Sequence, residues 1–393
     1  MPRVLRIINR LNIGGPTFNV SYLTRHLPPE YETLLVAGMI DETEGSSAYI
    51  PEDMGIQPRY VRHMQREIRP LNDYKGYREI VSIIREFKPD IVHTHAAKAG
   101  ALGRLAAYNL KVPVVVHTFH GHVFHSYFSP LKTRFFIEAE RMLARRSSAI
   151  VAISAGQKQE LAEQYRIAPA HKIHVVENGF DLQRFVTGQA DKRAFFRNRY
   201  QLTDNTVAIG IVGRLVPVKN HRLFLQMFQS VKQQTQVPVR AFIVGDGELR
   251  TETEDYTRQL GLTLSDGSQP TDVVFTSWIA DVDTVNAGMD IIALTSLNEG
   301  TPVSLIEAQA SARALVSTRV GGVADIVRDG QTGLLAGSGD VDGLKHATLR
   351  LVEDAEMRHR MGEAGREYVL ERFSYRRLCR DMDALYRQLL SSS

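Results

Sequence analysis

Short β-branched and apolar runs alternate with stretches of helical periodicity along this chain, and the pattern occurs twice. Few folds accept such a sequence. It marks βαβ units and parallel sheets covered by helices. In the first half the expected strands are 4–8, 33–37, 91–93, 114–117, 150–153 and 173–176, with helices such as 74–87, 97–109 and 129–145 between them. In the second half they are 207–212, 240–244, 273–276, 291–294, 315–317 and 333–335. Between the halves, residues 181–201 turn polar and basic and are read as a seam. A chain of 393 residues has the length for two domains on a prior of roughly 150 each. They are placed at 1–185 and 200–370. A last helix over 375–390 carries Leu378, Met382, Leu385 and Leu389 as a one-sided stripe. From its pattern alone it could finish either domain.

The bulk properties exclude several classes. Cys379 is the only cysteine, so no intramolecular disulfide or cysteine-based metal site can form, which fits a reducing compartment. The first nine residues lack the longer apolar core of a signal peptide. No run approaches the ~18 apolar residues of a membrane span, and the expectation is a cytoplasmic protein. The net charge is only +4. It is uneven: residues 131–146 carry Lys132, Arg134, Arg141, Arg145 and Arg146, interleaved with Phe135, Phe136, Ile137, Met142 and Leu143. Such a helix either lies on an anionic membrane or is a surface helix with a buried stripe. No nucleic-acid motif or continuous basic stripe is present, so nucleic acid is not expected as a partner.

Chemistry concentrates at a few strand ends. The most telling segment is Asn298-Glu299-Gly300-Thr301-Pro302-Val303-Ser304-Leu305-Ile306-Glu307-Ala308. An apolar run at 290–294 empties into a turn. Thr301 is the expected N-cap and Pro302 the first helical residue. One carboxylate, Glu299, then sits on the loop and another, Glu307, inside the helix. Between them lies a helix N-terminus, whose N–H groups and dipole suit a phosphate. The plain alternative is a strand–turn–helix with one solvated Glu and one capping Glu. A second glycine turn, Gly14-Gly15-Pro16-Thr17, follows strand 4–8 and leads to a helix from about residue 18; it is not a dinucleotide fingerprint. Arg214 and Lys219 follow strand 207–212 and could neutralise a diphosphate. Arg319 is a weaker candidate.

Six of the 13 histidines fall together: His93, His95, His117, His120, His122 and His125. A metal cluster is one reading, but the spacing fits no helix-borne site and no carboxylate-rich segment adjoins it. Asp281 and Asp283 resemble a metal-binding pair but open a short helix and are read as structural. Trp278, the only tryptophan, either stacks near a ligand or belongs to the core.

The Glu299–Glu307 segment resembles the Glu-x7-Glu signature of the family 4 (group 1) retaining glycosyltransferases. Gly14-Gly15, His120-Gly121, Asn178-Gly179, Gly213-Arg214 with Lys219, Gly245-Asp246-Gly247 and Gly321-Gly322 match further family motifs in the same order, over nearly the whole chain. The resemblance implies the GT-B architecture: two Rossmann-like parallel-sheet domains facing across a cleft, with the C-terminal helix, 374–393, crossing back to the first. It implies a nucleotide-sugar donor bound by Gly14, Gly15, Arg214, Lys219, Gly300, Thr301, Pro302, Val303 and Glu307. The catalytic set would be Glu299, His120, Arg214 and Lys219, with no metal or other cofactor. Glu299 would hold the transferred sugar and Glu307 the ribose. The acceptor would be a glycan, a lipid-linked glycan or a small molecule. Family members usually carry a glycine where Ser277 stands in Phe275-Thr276-Ser277-Trp278. Uridine is therefore a preference. A sugar-nucleotide epimerase of the same architecture, or a non-catalytic sugar-nucleotide-binding protein, is the alternative.

Overall fold

The apolar runs pair in parallel into two sheets. The computed structural model of the protein describes residues 1–12, 14–40, 46–65, 67–121 and 130–392. The first sheet holds β1 (Arg3–Ile8), β2 (Glu32–Gly38), β3 (Arg59–Val61), β4 (Ile91–His95), β5 (Val114–Phe119), β6 (Ala149–Ala152) and β7 (Ile173–Val175), in the order β3-β2-β1-β4-β5-β6-β7. The second holds β8 (Val207–Val212), β9 (Val239–Val244), β10 (Leu264–Ser265), β11 (Val273–Ser277), β12 (Ile291–Leu294), β13 (Ala314–Thr318) and β14 (Leu334–Ala336), in the order β10-β11-β9-β8-β12-β13-β14. Each expected strand is present within a residue or two of its expected ends. β3 and β10 were not expected. Both are short edge strands, and a two- or three-residue edge carries almost no periodic signal.

The chain divides into two units. Unit 1 is Met1–Phe180 with Phe373–Ser393, and unit 2 is Asp181–Arg372. The polar stretch read as a seam is largely a helix of unit 2, Gln189–Arg199. The buried Phe196, 5.4 Å from the Phe242 ring, and its charges hold it there. Arg193 and Arg197 both reach Asp290, at 2.7 and 3.2 Å, and Lys192 reaches Asp283 at 2.9 Å. Asp290 also accepts from the backbone N–H of Ala208, at 2.8 Å. A helix bound by ion pairs has a weak apolar stripe, so its sequence looks like a linker.

In unit 1 the final helix, Tyr375–Ser391, packs on the helix Gly15–His26. Tyr375 stacks on Tyr22 with ring centroids 5.1 Å apart. Leu378, Met382, Leu385 and Tyr386 join one core with Val4, Ile91, Val114 and Val116. Each such apolar side chain gains roughly 1.5–3 kcal/mol on burial, against about 0–1 for a surface ion pair. Packing, not the pairs of Arg387 with Glu30 and Asp383, therefore seats the helix. The helix entry is stitched by backbone. Phe180 N–H donates to Phe373 O at 2.8 Å, and Tyr375 N–H to Phe180 O at 3.0 Å. Arg377 donates to the carbonyls of Glu177 and Asn178.

Gly179 is required by this contact. A Cβ there would lie 2.7 Å from both Tyr375 Cα and Leu378 Cβ. Gly179→Val is expected to cost about 1–3 kcal/mol through overpacking, read as a lower urea midpoint. An unchanged midpoint would show that the helix entry has slack.

Candidate functional site

Unit 2 has a natural place for a ligand. From β8 the chain builds outward to β9, then returns to the other side of β8 as β12. At such a switch point the loops leaving two adjacent strands diverge and open a crevice at their carboxyl ends. Gly213-Arg214 leaves β8 there, and Thr295 to Gly300 leaves β12.

The β12 loop is fixed to the turn Pro217–Lys219. Thr295 Oγ1 donates to the carbonyls of Lys219 and Asn220, at 3.2 and 3.0 Å, and Leu297 N–H donates to Val218 O at 2.8 Å. Thr318 Oγ1 donates to Ser296 O at 2.7 Å. These bonds bring Lys219 Nζ to 2.6 Å from Glu299 Oε1, where Ser296 Oγ donates to the same oxygen at 2.6 Å. Both partners are sheltered, with side chains 21% and 11% exposed. Sequence reasoning placed Lys219 and Glu299 in different roles and passed over Ser296. The structure makes the three one cluster. Arg214 is exposed, and its guanidinium has no hydrogen-bond or ion-pair partner among the described residues. A cation so placed at the end of β8 is available to an anion.

The helix after Glu299 is Val303–Ala310, one residue later than expected. Pro302 is the N-cap, with an extended ψ of 90°, and Thr301 lies in the turn before it. Gly300 is exposed on that turn. The first N–H groups of the helix have no intrahelical acceptor and no capping side chain. Glu307 is one turn further along. Burial pushes its carboxyl up to about 7, Asp283 adds to the rise and Arg184 opposes it. Arg184, on the turn Gln183–Phe185, was missed because the stretch looked like a linker.

Glycines hold the loops together backbone to backbone. Gly245 has φ +137°, and a Cβ there would lie 2.0 Å from Gly213 O. Gly321 has φ +47°, and its Cβ would lie 1.9 Å from Glu299 O. The Gly245-Asp246-Gly247 and Gly321-Gly322 motifs thus support the loops that carry Arg214 and Glu299. Arg319 is paired with Asp329. Asp283 is tied to Lys192, so its role is structural. Trp278 is 63% exposed and not a core residue. It follows a bulge at Ser277, whose φ of +57° is a conformation that favours glycine. Arg250 Nη1 donates to Ser277 Oγ at 2.8 Å, which holds that residue in place.

In unit 1 the helix Gly15–His26 begins three residues earlier than expected, with Gly14 as its N-cap. Gly15 and Thr17 are therefore first-turn residues and keep N–H groups without intrahelical acceptors. Thr17 itself is buried and donates its hydroxyl to Asn12 O at 2.7 Å. Asn178 accepts from Asn19 Nδ2 at 3.1 Å, tying the Asn178-Gly179 motif to this helix.

The histidines divide by strand alternation. His93 and His95 share one face of β4, with Arg6 of β1 in register beside His93. His117 lies on the other face, 2.8 Å from Thr94 Oγ1. This register removes the geometry of a single metal cluster, and no group of three ligating side chains occurs among the described residues. His95 Nδ1 meets His120 Nε2 at 2.9 Å. Burial holds all four imidazoles below their usual range, His120 at about 4. His122 and His125 lie outside the described residues. Of the expected site, Gly14, Gly15 and His120 therefore belong to unit 1, and the rest to unit 2.

Two known sequence families match this chain, one in each half. The sequence family described as Glycosyltransferase Family 4 matches residues 13–184, and the one described as Glycosyl transferases group 1 matches residues 192–368. The UDP-Gal:alpha-D-GlcNAc-diphosphoundecaprenol alpha-1,3-galactosyltransferase of Escherichia coli is 28% identical over 77% of this chain and 76% of its own. The capsular polysaccharide biosynthesis glycosyltransferase CapM of Staphylococcus aureus is 26% identical over 85% and 86%. Among solved structures, Anabaena Alr3699/HepE in complex with UDP has a TM-score of 0.81 over 100% of both chains, at 20% identity. That likeness is one of fold.

Glu307 gives a signed pH dependence. Its folded pKa of about 7 lies above the usual 4.5, so the proton binds more tightly in the folded chain. Its contribution to stability is complete below about pH 4.5 and is lost as pH rises through 7. Relative to Glu307→Gln, the wild type should lose about 3 kcal/mol between pH 4.5 and pH 8. Urea midpoints of both proteins across that range measure it. A flat difference would mean that Glu307 is solvated.

Proposed function

Because the chain belongs to the family 4 (group 1) glycosyltransferases, with their GT-B architecture of two parallel-sheet domains, we propose that it transfers a sugar, with retention, from a nucleoside-diphosphate sugar to an acceptor hydroxyl. A UDP-sugar is the preferred donor. The observation that carries this reading is the Lys219–Glu299–Ser296 cluster beside an uncapped helix start, with the half-buried Glu307 one turn beyond. The E. coli relative is named for UDP-Gal and a diphosphoundecaprenol-linked acceptor, and the S. aureus relative for capsular polysaccharide. The first name supports a nucleotide-sugar donor and a lipid-linked acceptor, and the second a surface glycan.

In this mechanism the bond from the sugar C1 to the diphosphate oxygen breaks. A bond from C1 to the acceptor oxygen forms on the same face, and the acceptor proton passes to the departing diphosphate. The protein supplies position and charge. Arg214, Lys219 and the N–H groups of Gly300, Thr301 and Val303 hold the diphosphate. Pro302 closes the turn but has no N–H to give. Glu299 accepts from hydroxyls of the transferred sugar, and Lys219 keeps its carboxylate aimed. Glu307 accepts from the ribose, for which it must be ionised, and Arg184 favours that form. In unit 1, His120 hydrogen-bonds a sugar hydroxyl, and the N–H groups of Gly14 and Gly15 meet an anionic oxygen. Fixed cations and helix N-termini take the place of a divalent metal.

A membrane-borne acceptor agrees with the helix Pro130–Arg145. Arg141 is tied to Glu138 and to Tyr165 O, but Lys132, Arg134 and Arg145 are exposed, as are Phe135 and Met142. Among the described residues no helix is long and apolar enough to cross a membrane. We assign this helix to peripheral contact at the cytoplasmic face. Binding to vesicles rich in anionic lipid should weaken with salt and fall in Phe135→Ser; equal binding to neutral vesicles would refute it.

Labelled donor, incubated with and without acceptor in excess chelator, tests the reaction itself. Acceptor-dependent transfer is expected; acceptor-independent conversion of the sugar would favour an epimerase, and rescue only by one metal would refute metal independence. The two glutamates should then fail differently. Glu307→Ala should weaken free UDP about 10- to 100-fold, the worth of a hydrogen bond to a charged group. Glu299→Ala should leave UDP affinity intact or tighter, because Lys219 is released, yet lower kcat/KM by about 10² or more. Calorimetric titration beside the assay separates them, and equal loss of UDP affinity would show the roles misassigned.

A further inference from the structure

Lys219 has two tasks in the mechanism above. It holds the diphosphate, and it keeps the carboxylate of Glu299 aimed. Ser296 has none, although it touches the same carboxylate. Lys219 Nζ and Ser296 Oγ both donate to Glu299 Oε1, each at 2.6 Å. Glu299 Oε2 has no partner among the described residues, and the side chain keeps 11% of its surface. The protein thus takes up one oxygen of the carboxylate and leaves the other to a ligand.

The two donors on Oε1 differ in kind. Lys219 reaches it through a flexible four-carbon stem, and its ammonium is a point charge that any nearby anion attracts. A diphosphate carries more charge than a carboxylate and takes the larger share of that one ammonium. Lys219 therefore holds Glu299 least firmly when the nucleotide is bound, which is when the aim of Glu299 matters. The Ser296 hydroxyl is neutral, and a diphosphate does not draw it away. Ser296 is fully buried, and its carbonyl accepts from Thr318 Oγ1 at 2.7 Å. Thr295 beside it is tied to the carbonyls of Lys219 and Asn220. The backbone of Glu299 is fixed too, since its carbonyl accepts from Gly322 N–H at 3.0 Å. What stays loose in Glu299 is the side chain, whose carboxylate torsion is broad and roughly two-fold. A hydrogen bond from Ser296 to Oε1 selects one setting of that torsion.

We propose that Ser296 is the positioning residue for Glu299 during transfer: it keeps Oε1 in place while Lys219 turns to the diphosphate, so that Oε2 meets the hydroxyls of the transferred sugar. Lys219 exchanges partners in the course of binding, and Ser296 does not. The inference rests on the reading of Glu299 as the residue that holds that sugar.

The test compares Ser296→Ala and Glu299→Ala, singly and together, in the full chain. Ser296→Ala keeps the backbone bonds of the loop. Calorimetric titration with free UDP should give an affinity within a few-fold of the wild type, because Arg214 and Lys219 remain. In the transfer assay, with UDP-glucose or UDP-galactose, whichever the wild type uses, kcat/KM should fall about 10- to 100-fold, the worth of a hydrogen bond to a charged group. In the Glu299→Ala background the same substitution should change kcat/KM less than about twofold, since the contact it removes is already gone. Ser296→Cys has a side chain of similar shape but only a weak donor. It should show the same split between kept UDP affinity and lost transfer, and it carries the test if Ser296→Ala does not fold. Unchanged transfer in Ser296→Ala would overturn the proposal and leave Lys219 as the guide. A loss of UDP affinity as large as the loss of transfer would also overturn it, making Ser296 a support of the whole loop. An equal further loss in the Glu299→Ala background would do so as well, placing its role apart from Glu299. Full transfer in Glu299→Ala would refute the reading of Glu299 and this inference with it, whereas loss in Glu299→Ala with none in Ser296→Ala refutes this inference alone.

Discussion

The reversal of strand order beside β8 is the constraint from which the rest of unit 2 follows. Strands on either side of β8 are reached by connections that leave in opposite directions, so the ends of β8 and β12 are adjacent while their loops part. Two residues eighty positions apart, Lys219 and Glu299, therefore come within 2.6 Å of one another. Nothing local to either residue brings this about. Thr295, Ser296 and Thr318 tie the loops to one another, and the glycine contacts let their backbones touch. Unit 1 repeats the arrangement between β1 and β4, and there too the polar groups collect at the carboxyl ends.

The two units bury charge in opposite ways. Unit 1 hides a cation, Arg6, among imidazoles that burial keeps neutral. Unit 2 places a half-buried carboxyl, Glu307, one turn into a helix and keeps one cation, Arg184, within its influence. Isolated buried charge is unfavourable unless matched.

Much of this was legible in the sequence where burial on both faces writes long apolar runs, as in β8 or β12. It failed where charge or position in the sheet does the work. The helix Gln189–Arg199 was read as a seam because much of its attachment, to Asp290 and Asp283, is ionic and Phe196 alone marks its apolar face. Pro302 looked like a first helical residue, but its extended ψ leaves it just outside. Glu299 and Glu307 stood out because both flank one turn. Their partners, Ser296 and Arg184, did not, because a serine at a strand end and an arginine in a polar stretch are ordinary. The histidines show the limit most clearly. Spacing of two puts His93 and His95 on one face, but only the β4–β5 register shows that His117 is on the other.

The backbone passes from unit 1 to unit 2 after Phe180 and returns at Phe373. In topological terms, unit 2 is an insert within a domain that was begun before it. The ribosome makes most of unit 1 before unit 2, yet the helix Tyr375–Ser391 is made only after unit 2. Until then Val4, Ile91 and Val116 lack the part of their cover that this helix gives, and His93 lacks Tyr386. At 5–20 residues per second, the remaining synthesis occupies roughly ten to forty seconds. Throughout that interval part of an apolar sheet face stands open, so the domain begun before unit 2 is finished only after it.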